Sequence, residues 1–256
     1  MRKTLNTIAA LFCVIAWSSS SHADITLNNF VGLTQDVVSG ANTIQTGYAP
    51  SSGNNSVLFV TFSFDSPGDP TDAVTFGGVG LTKVETPANR IFFLPNPGTA
   101  LGDIVLTTST SGGFGNELFS VGTLEGVDTS SITALTGATS SGTIQSGPDF
   151  FALAPDSYVL TSFSANNHTG SYSAVAGNPI LTGFDQGGSA FDGAVTGAAG
   201  VSGDFTPTIG GFTGSNLVTA VSIAFTPAAI PEPSSAGILV LAMAYLGVRR
   251  RRGLAA

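Results

Sequence analysis

The chain has 256 residues but only 8 Lys+Arg and 16 Asp+Glu, so 9% of it is charged where a globular domain usually carries about 25%. A hydrophobic content of 42% excludes a charged disordered chain, and a net charge of −8 excludes a protein that neutralises nucleic-acid phosphates. No apolar run reaches the roughly 18 to 20 residues of a full span, which excludes a polytopic membrane protein.

The basic residues are not spread evenly. Arg2 and Lys3 open the chain and Arg249, Arg250, Arg251 and Arg252 nearly close it, leaving Lys83 and Arg90 between them. The segment from Asp24 to Ala229 therefore holds two basic residues against fifteen acids, a formal charge of −13.

Residues 1–23 have the pattern of a secretory signal peptide. Arg2 and Lys3 supply the positive start, Ile8 to Trp17 an apolar stretch too short to span a bilayer, and Ser21-His22-Ala23 the small residues of a cleavage site. Cleavage by signal peptidase is expected between Ala23 and Asp24. Cys13 is the sole cysteine, and Phe12 before it does not fit a lipoprotein signal. Its removal leaves a mature chain without disulfides in an oxidising compartment.

Residues 24–229 show no ungapped amphipathic helical period. Short alternating or β-branched runs recur instead: Val57–Phe64, Ala73–Phe76, Leu81–Glu85, Arg90–Leu94, Asp103–Thr108, Glu117–Leu124, Ser157–Ala165, Ile180–Phe184 and Asn216–Phe225. Leu58, Val60, Phe62 and Phe64 share one face of the first run, and Thr219, Val221, Ile223 and Phe225 one face of the last. Gly, Pro, Asn and Ser clusters such as Pro95-Asn96-Pro97-Gly98 divide them. The expectation is all-β: a single two-sheet antiparallel β-sandwich, jelly-roll-like, closed by Phe-rich packing between its sheets.

The body offers little catalytic chemistry. His168, in the turn Asn166-Asn167-His168-Thr169-Gly170, is its one histidine, so a His-based triad or a zinc hydrolase lacks partners. Gly77-Gly78-Val79-Gly80 lacks the Lys of a phosphate loop and reads as a turn between strands. Gly112-Gly113-Phe114-Gly115-Asn116-Glu117 is one imperfect copy of a calcium-binding repeat that works only in tandem. Paired carboxylates for glycoside hydrolysis stay open among fifteen acids, but the body has no Trp to platform a sugar ring. In Asp65-Ser66-Pro67-Gly68-Asp69-Pro70-Thr71-Asp72, three carboxylates within eight residues suit either a Ca²⁺ site, with Asp65, Asp69 and Asp72 as ligands, or a solvated turn. No other cofactor is expected.

Val74 to Thr82, Ile91 to Pro97 and Gly126-Val127-Asp128 together resemble an uncharacterised β-sandwich module of secreted bacterial and phage proteins. That resemblance supports the sandwich and implies no activity.

Residues 230–256 carry three ordered elements: Pro231-Glu232-Pro233, an apolar stretch Ala236–Val248, and the four arginines 249–252. At ~1.5 Å per residue the stretch makes a helix of roughly 20 Å, short of a ~30 Å hydrocarbon core; the flanking Ser234 and Ser235 and snorkelling arginines narrow that gap, and the arginines are expected to stay cytoplasmic. This tail resembles the PEP-CTERM sorting signal of Gram-negative bacteria. The resemblance implies that the chain is an exosortase substrate, transiently anchored in the inner membrane by a short C-terminal transmembrane helix and associated with exopolysaccharide and biofilm. The expected function is that of an exported, non-enzymatic cell-surface or extracellular-matrix protein. The alternatives are a calcium-dependent lectin-like or adhesive module and a matrix-degrading hydrolase.

Overall fold

The computed structural model describes residues 22–230, except 52–54, 64–71, 87–88, 110–113, 140–142, 167–171, 185–190 and 212–217. The apolar stretch of the signal peptide, the Pro231-Glu232-Pro233 tail, Asp65, Asp69 and His168 lie outside the described residues. Asp24–Ala228 forms one compact unit. Among the described residues no helix is long and apolar enough to cross a membrane.

Among the described residues this unit has seventeen strands, and all their pairings are antiparallel. In the first half they are β1 (Thr26–Val37), β2 (Gly40–Tyr48), β3 (Ser56–Ser63), β4 (Ala73–Phe76), β5 (Val79–Gly80), β6 (Thr82–Glu85), β7 (Asn89–Pro95), β8 (Gly102–Thr108) and β9 (Phe114–Glu125). The chain alternates between two sheets, one ordered β1-β9-β3-β7-β6 and the other β2-β8-β4-β5. That wrapping is a jelly roll.

The second half comprises β10 (Val127–Thr139), β11 (Ile144–Ser146), β12 (Phe150–Asn166), β13 (Ser173–Ala174), β14 (Ile180–Phe184), β15 (Phe191–Phe205), β16 (Thr208–Gly210) and β17 (Val218–Pro227). Its sheets run β10-β17-β12-β15-β14 and β11-β16-β13. Strand for strand this is the first half again. Even the β4–β5 hairpin at Phe76 and Val79 has its counterpart in the single bridge between Val175 and Asn178. The body is therefore two jelly rolls in tandem, and the expected single pair of sheets becomes two pairs.

The reason is visible in β3. A sandwich strand ordinarily alternates between core and solvent, yet every residue of Ser56–Ser63 is buried. Leu58, Val60 and Phe62 face the smaller sheet of their own half, and Phe62 stacks on its cross-strand neighbour Phe119 of β9 with centroids 4.3 Å apart. Val57 and Phe59 face the opposite way, into a second core shared with Tyr158, Leu160, Val221, Ile223 and Phe225. The two five-stranded sheets thus pack against each other, and each is also covered by the smaller sheet of its half. Burying a Phe or Leu side chain contributes about 1.5–3 kcal/mol, so this shared core holds the halves as one unit.

Close approach across the seam depends on missing side chains. A Cβ on Gly193 of β15 would stand 2.9 Å from Ser63 Cβ of β3. Beyond this point the seam turns polar. Asn89 Oδ1 accepts hydrogen bonds from Ser63 Oγ at 3.0 Å and Ser162 Oγ at 3.2 Å, while its Nδ2 donates to Thr219. The fully buried amide is satisfied from both halves.

Candidate functional site

With two copies of one topology in a single chain, the places where they differ are informative. β3 and β7 stay paired as far as Val57 and Pro95, but β12 and β15 continue past the corresponding point to Phe150 and Phe205. Where β3 and β7 end, β12 and β15 thus run on together as a ribbon. Its base keeps the left-handed residues of the loops: Asn55 (φ 65°) and Asn96 (φ 51°) in the first half, Asp156 (φ 62°) and Gly200 (φ 68°) in the second. Asn, Asp and Gly are the residues that tolerate this conformation.

The ribbon frames a groove of about 530 Å³ lined by Phe150–Ala154, by Ser131, Thr133 and Leu135 of β10, and by Thr226 of β17. Leu135 and Leu153 pack onto a small core of Phe150, Val159 and Ala224 beneath it. Ser131 Oγ donates to Thr226 Oγ1 at 3.4 Å. At the rim Asp149 Oδ1 accepts from Thr206 Oγ1 at 2.5 Å, and Asp204 Oδ1 accepts from the backbone N–H of Ala152 at 3.1 Å. Ala152 is held at φ 53°, a conformation costing a non-glycine residue roughly 1–2 kcal/mol. The ring of Phe151 is 73% exposed, the only exposed aromatic among the described residues.

In the first half Tyr48 is 4% exposed: its hydroxyl donates to Asn29 O at 3.1 Å and is hydrogen-bonded to Thr123 Oγ1 at 3.0 Å, and its ring meets Phe76 edge-on. Asn29 Nδ2 donates to Ala49 O at 2.9 Å and pins the loop. Burial raises the Tyr48 pKa above its ordinary value, opposed by the Thr123 hydrogen bond.

The acidic loop falls only partly within the described residues. Asp72 is buried, and its Oδ2 lies 3.5 Å from Arg90 Nε. Arg90, 1% exposed, also donates from Nε to Glu85 Oε2 at 3.1 Å, and Lys83 Nζ lies 3.0 Å from the same oxygen. The two basic residues of the body thus converge on Glu85. A cation held by Asp65, Asp69 and Asp72 has to share Asp72 with a guanidinium already beside it. Among the described residues no group of three His, Cys, Asp or Glu side chains is placed to hold a metal ion.

Sequence reasoning did not find the groove, because nothing in Phe150-Phe151-Ala152-Leu153 distinguishes an exposed Phe from a core one. No family model and no curated protein matches the chain. Among solved structures, a conserved protein of unknown function from Pseudomonas aeruginosa PAO1 aligns with 81% of this chain and 100% of its own, at 9% identity and a TM-score of 0.29.

Proposed function

We propose that the chain is an exported, non-enzymatic protein of the cell surface or extracellular matrix, sorted by an exosortase-type system. The observation that carries this reading is the pairing of a signal peptide at residues 1–23 with the ordered Pro231-Glu232-Pro233, apolar stretch and arginine cluster at the other end. Between them stands a β-sandwich body with an open groove and little catalytic equipment. Asp149 is the one ionisable side chain lining the groove, whereas general acid–base hydrolysis of a glycoside takes two. Signal peptidase and an exosortase are the processing partners, and exopolysaccharide is the expected surrounding.

Cell fractionation of wild type against a deletion of Pro231-Glu232-Pro233 tests the sorting. Wild type is expected in the outer envelope or medium with a shortened C-terminus by mass spectrometry, and the deletion in the inner membrane at full length. Identical distribution and an identical C-terminus defeat the reading. A second reading, a lectin-like or adhesive module, is favoured by the exposed Phe151 beside a row of hydroxyls.

A further inference from the structure

The groove of the second jelly roll has two chemically distinct sides. Phe151 presents an apolar ring to solvent. Across the groove stand the hydroxyls of Ser131, Thr133 and Thr226, with the Asp149 carboxylate at the rim. A pyranose has the complementary surface: a C–H face that packs on an aromatic ring, and a rim of hydroxyls that both donate and accept. The groove is less well made for an added peptide strand at the ribbon, since the Ala152 N–H is already taken by Asp204.

Charge narrows the class of sugar. The body carries two basic residues against fifteen acids, and Lys83 and Arg90 both already lie against Glu85. A field of this sign repels uronate-bearing or sulfated chains and tolerates neutral or amino-bearing ones. Asp149 and Asp204 are engaged by Thr206 and by the backbone, as hydrogen-bonding groups rather than as a cation cage.

The geometry points to this groove as a glycan-binding site for polysaccharide without acidic groups, with Phe151 as the stacking platform and no calcium requirement. The inference deepens the surface-protein reading and rests on it.

The test is a glycan array probed with the full chain in detergent, with and without a chelator, carrying neutral, amino-bearing and uronate-bearing oligosaccharides and a set of cationic peptides. Binding to neutral or amino-bearing sugars is expected, unchanged by chelator. Phe151→Ala should weaken it about tenfold or more with an unaltered melting curve, and Phe151→Tyr should retain it. Binding untouched by Phe151→Ala, binding of uronates that needs calcium, binding of the peptides alone, or no binding at all overturns the site. Sorting is read separately by fractionation. A chain that is sorted but binds no sugar overturns the groove alone, and one that binds but is not sorted overturns the export reading alone.

Discussion

Asn89 donates through Nδ2 to both the carbonyl and the hydroxyl of Thr219, at 2.7 and 2.9 Å, across the seam between the two jelly rolls. With Ser63 and Ser162 on its Oδ1, one side chain meets the hydrogen-bonding needs of groups from three other strands. Asn89→Ala leaves several buried polar groups without a partner and is expected to destabilise the protein by about 3 kcal/mol. A lowered urea midpoint with an unchanged slope is the signature to look for; a loss under about 0.5 kcal/mol refutes the role.

Arg90 is as buried as any core phenylalanine and sits against Asp72, which is itself buried. Arg90→Ala strands that carboxylate in the interior and is expected to cost about 3–5 kcal/mol. Replacing both residues by leucine should recover most of the loss, because the cost lies in the unpaired charge rather than in the missing contact. Chemical denaturation of the two singles and the double closes the cycle.

Burial pushes the Tyr158 pKa up to about 12 from an ordinary value of 10.0. Folding therefore holds the phenolic proton more tightly than the unfolded chain does. Stability from this group is complete below about pH 10 and falls as pH rises toward 12, by about 3 kcal/mol for a two-unit shift. Tyr158→Phe should flatten that alkaline decline in melting temperature and leave the neutral region less affected. An equally steep decline in the variant contradicts the assignment.

Ala152 is held left-handed in the ribbon that frames the groove. Ala152→Gly removes the Cβ clash and should raise stability by about 0.5–1 kcal/mol, even though glycine substitutions usually destabilise. Scanning calorimetry decides the sign. A drop in melting temperature shows that the backbone there is not strained.

The all-β class was legible because strands that fill a core announce themselves: Val57-Leu58-Phe59-Val60 and Ala220-Val221-Ser222-Ile223 lie in β3 and β17, the middle of their sheets. β1, β10 and β15 were missed for physical reasons. β15 reads Phe-Asp-Gly-Ala-Val-Thr-Gly-Ala-Ala-Gly because it runs between two packed layers, where Gly193 and Gly197 leave room for Ser63 and Tyr158. A strand that needs small residues looks like a loop. β10 is an edge strand whose Thr and Ser face solvent on one side. The two halves share a short likeness, Thr43-Ile44-Gln45-Thr46-Gly47 against Thr143-Ile144-Gln145-Ser146-Gly147, at the corresponding strands β2 and β11. Ile44 is buried there, while Ile144 is 58% exposed and Gln145 points inward, so the likeness survives in letters but not in facing. Of the candidate site residues, Asp72 was seen and its guanidinium partner was not, since 18 residues separate Asp72 from Arg90.

The placement of β17 bears on how the protein carries load. It is a central strand, held along its length by β10 on one side and β12 on the other, and the chain leaves the body from its end at Pro227 toward the tail. Thr226, which lines the groove, is the residue just before. A matrix fibre gripped in the groove and an anchor pulling on the tail would meet within a residue or two, so tension would pass from one to the other almost directly. That strand also carries Val221, Ile223 and Phe225 of the shared core, so drawing it out would mean shearing two ladders and opening that core at once.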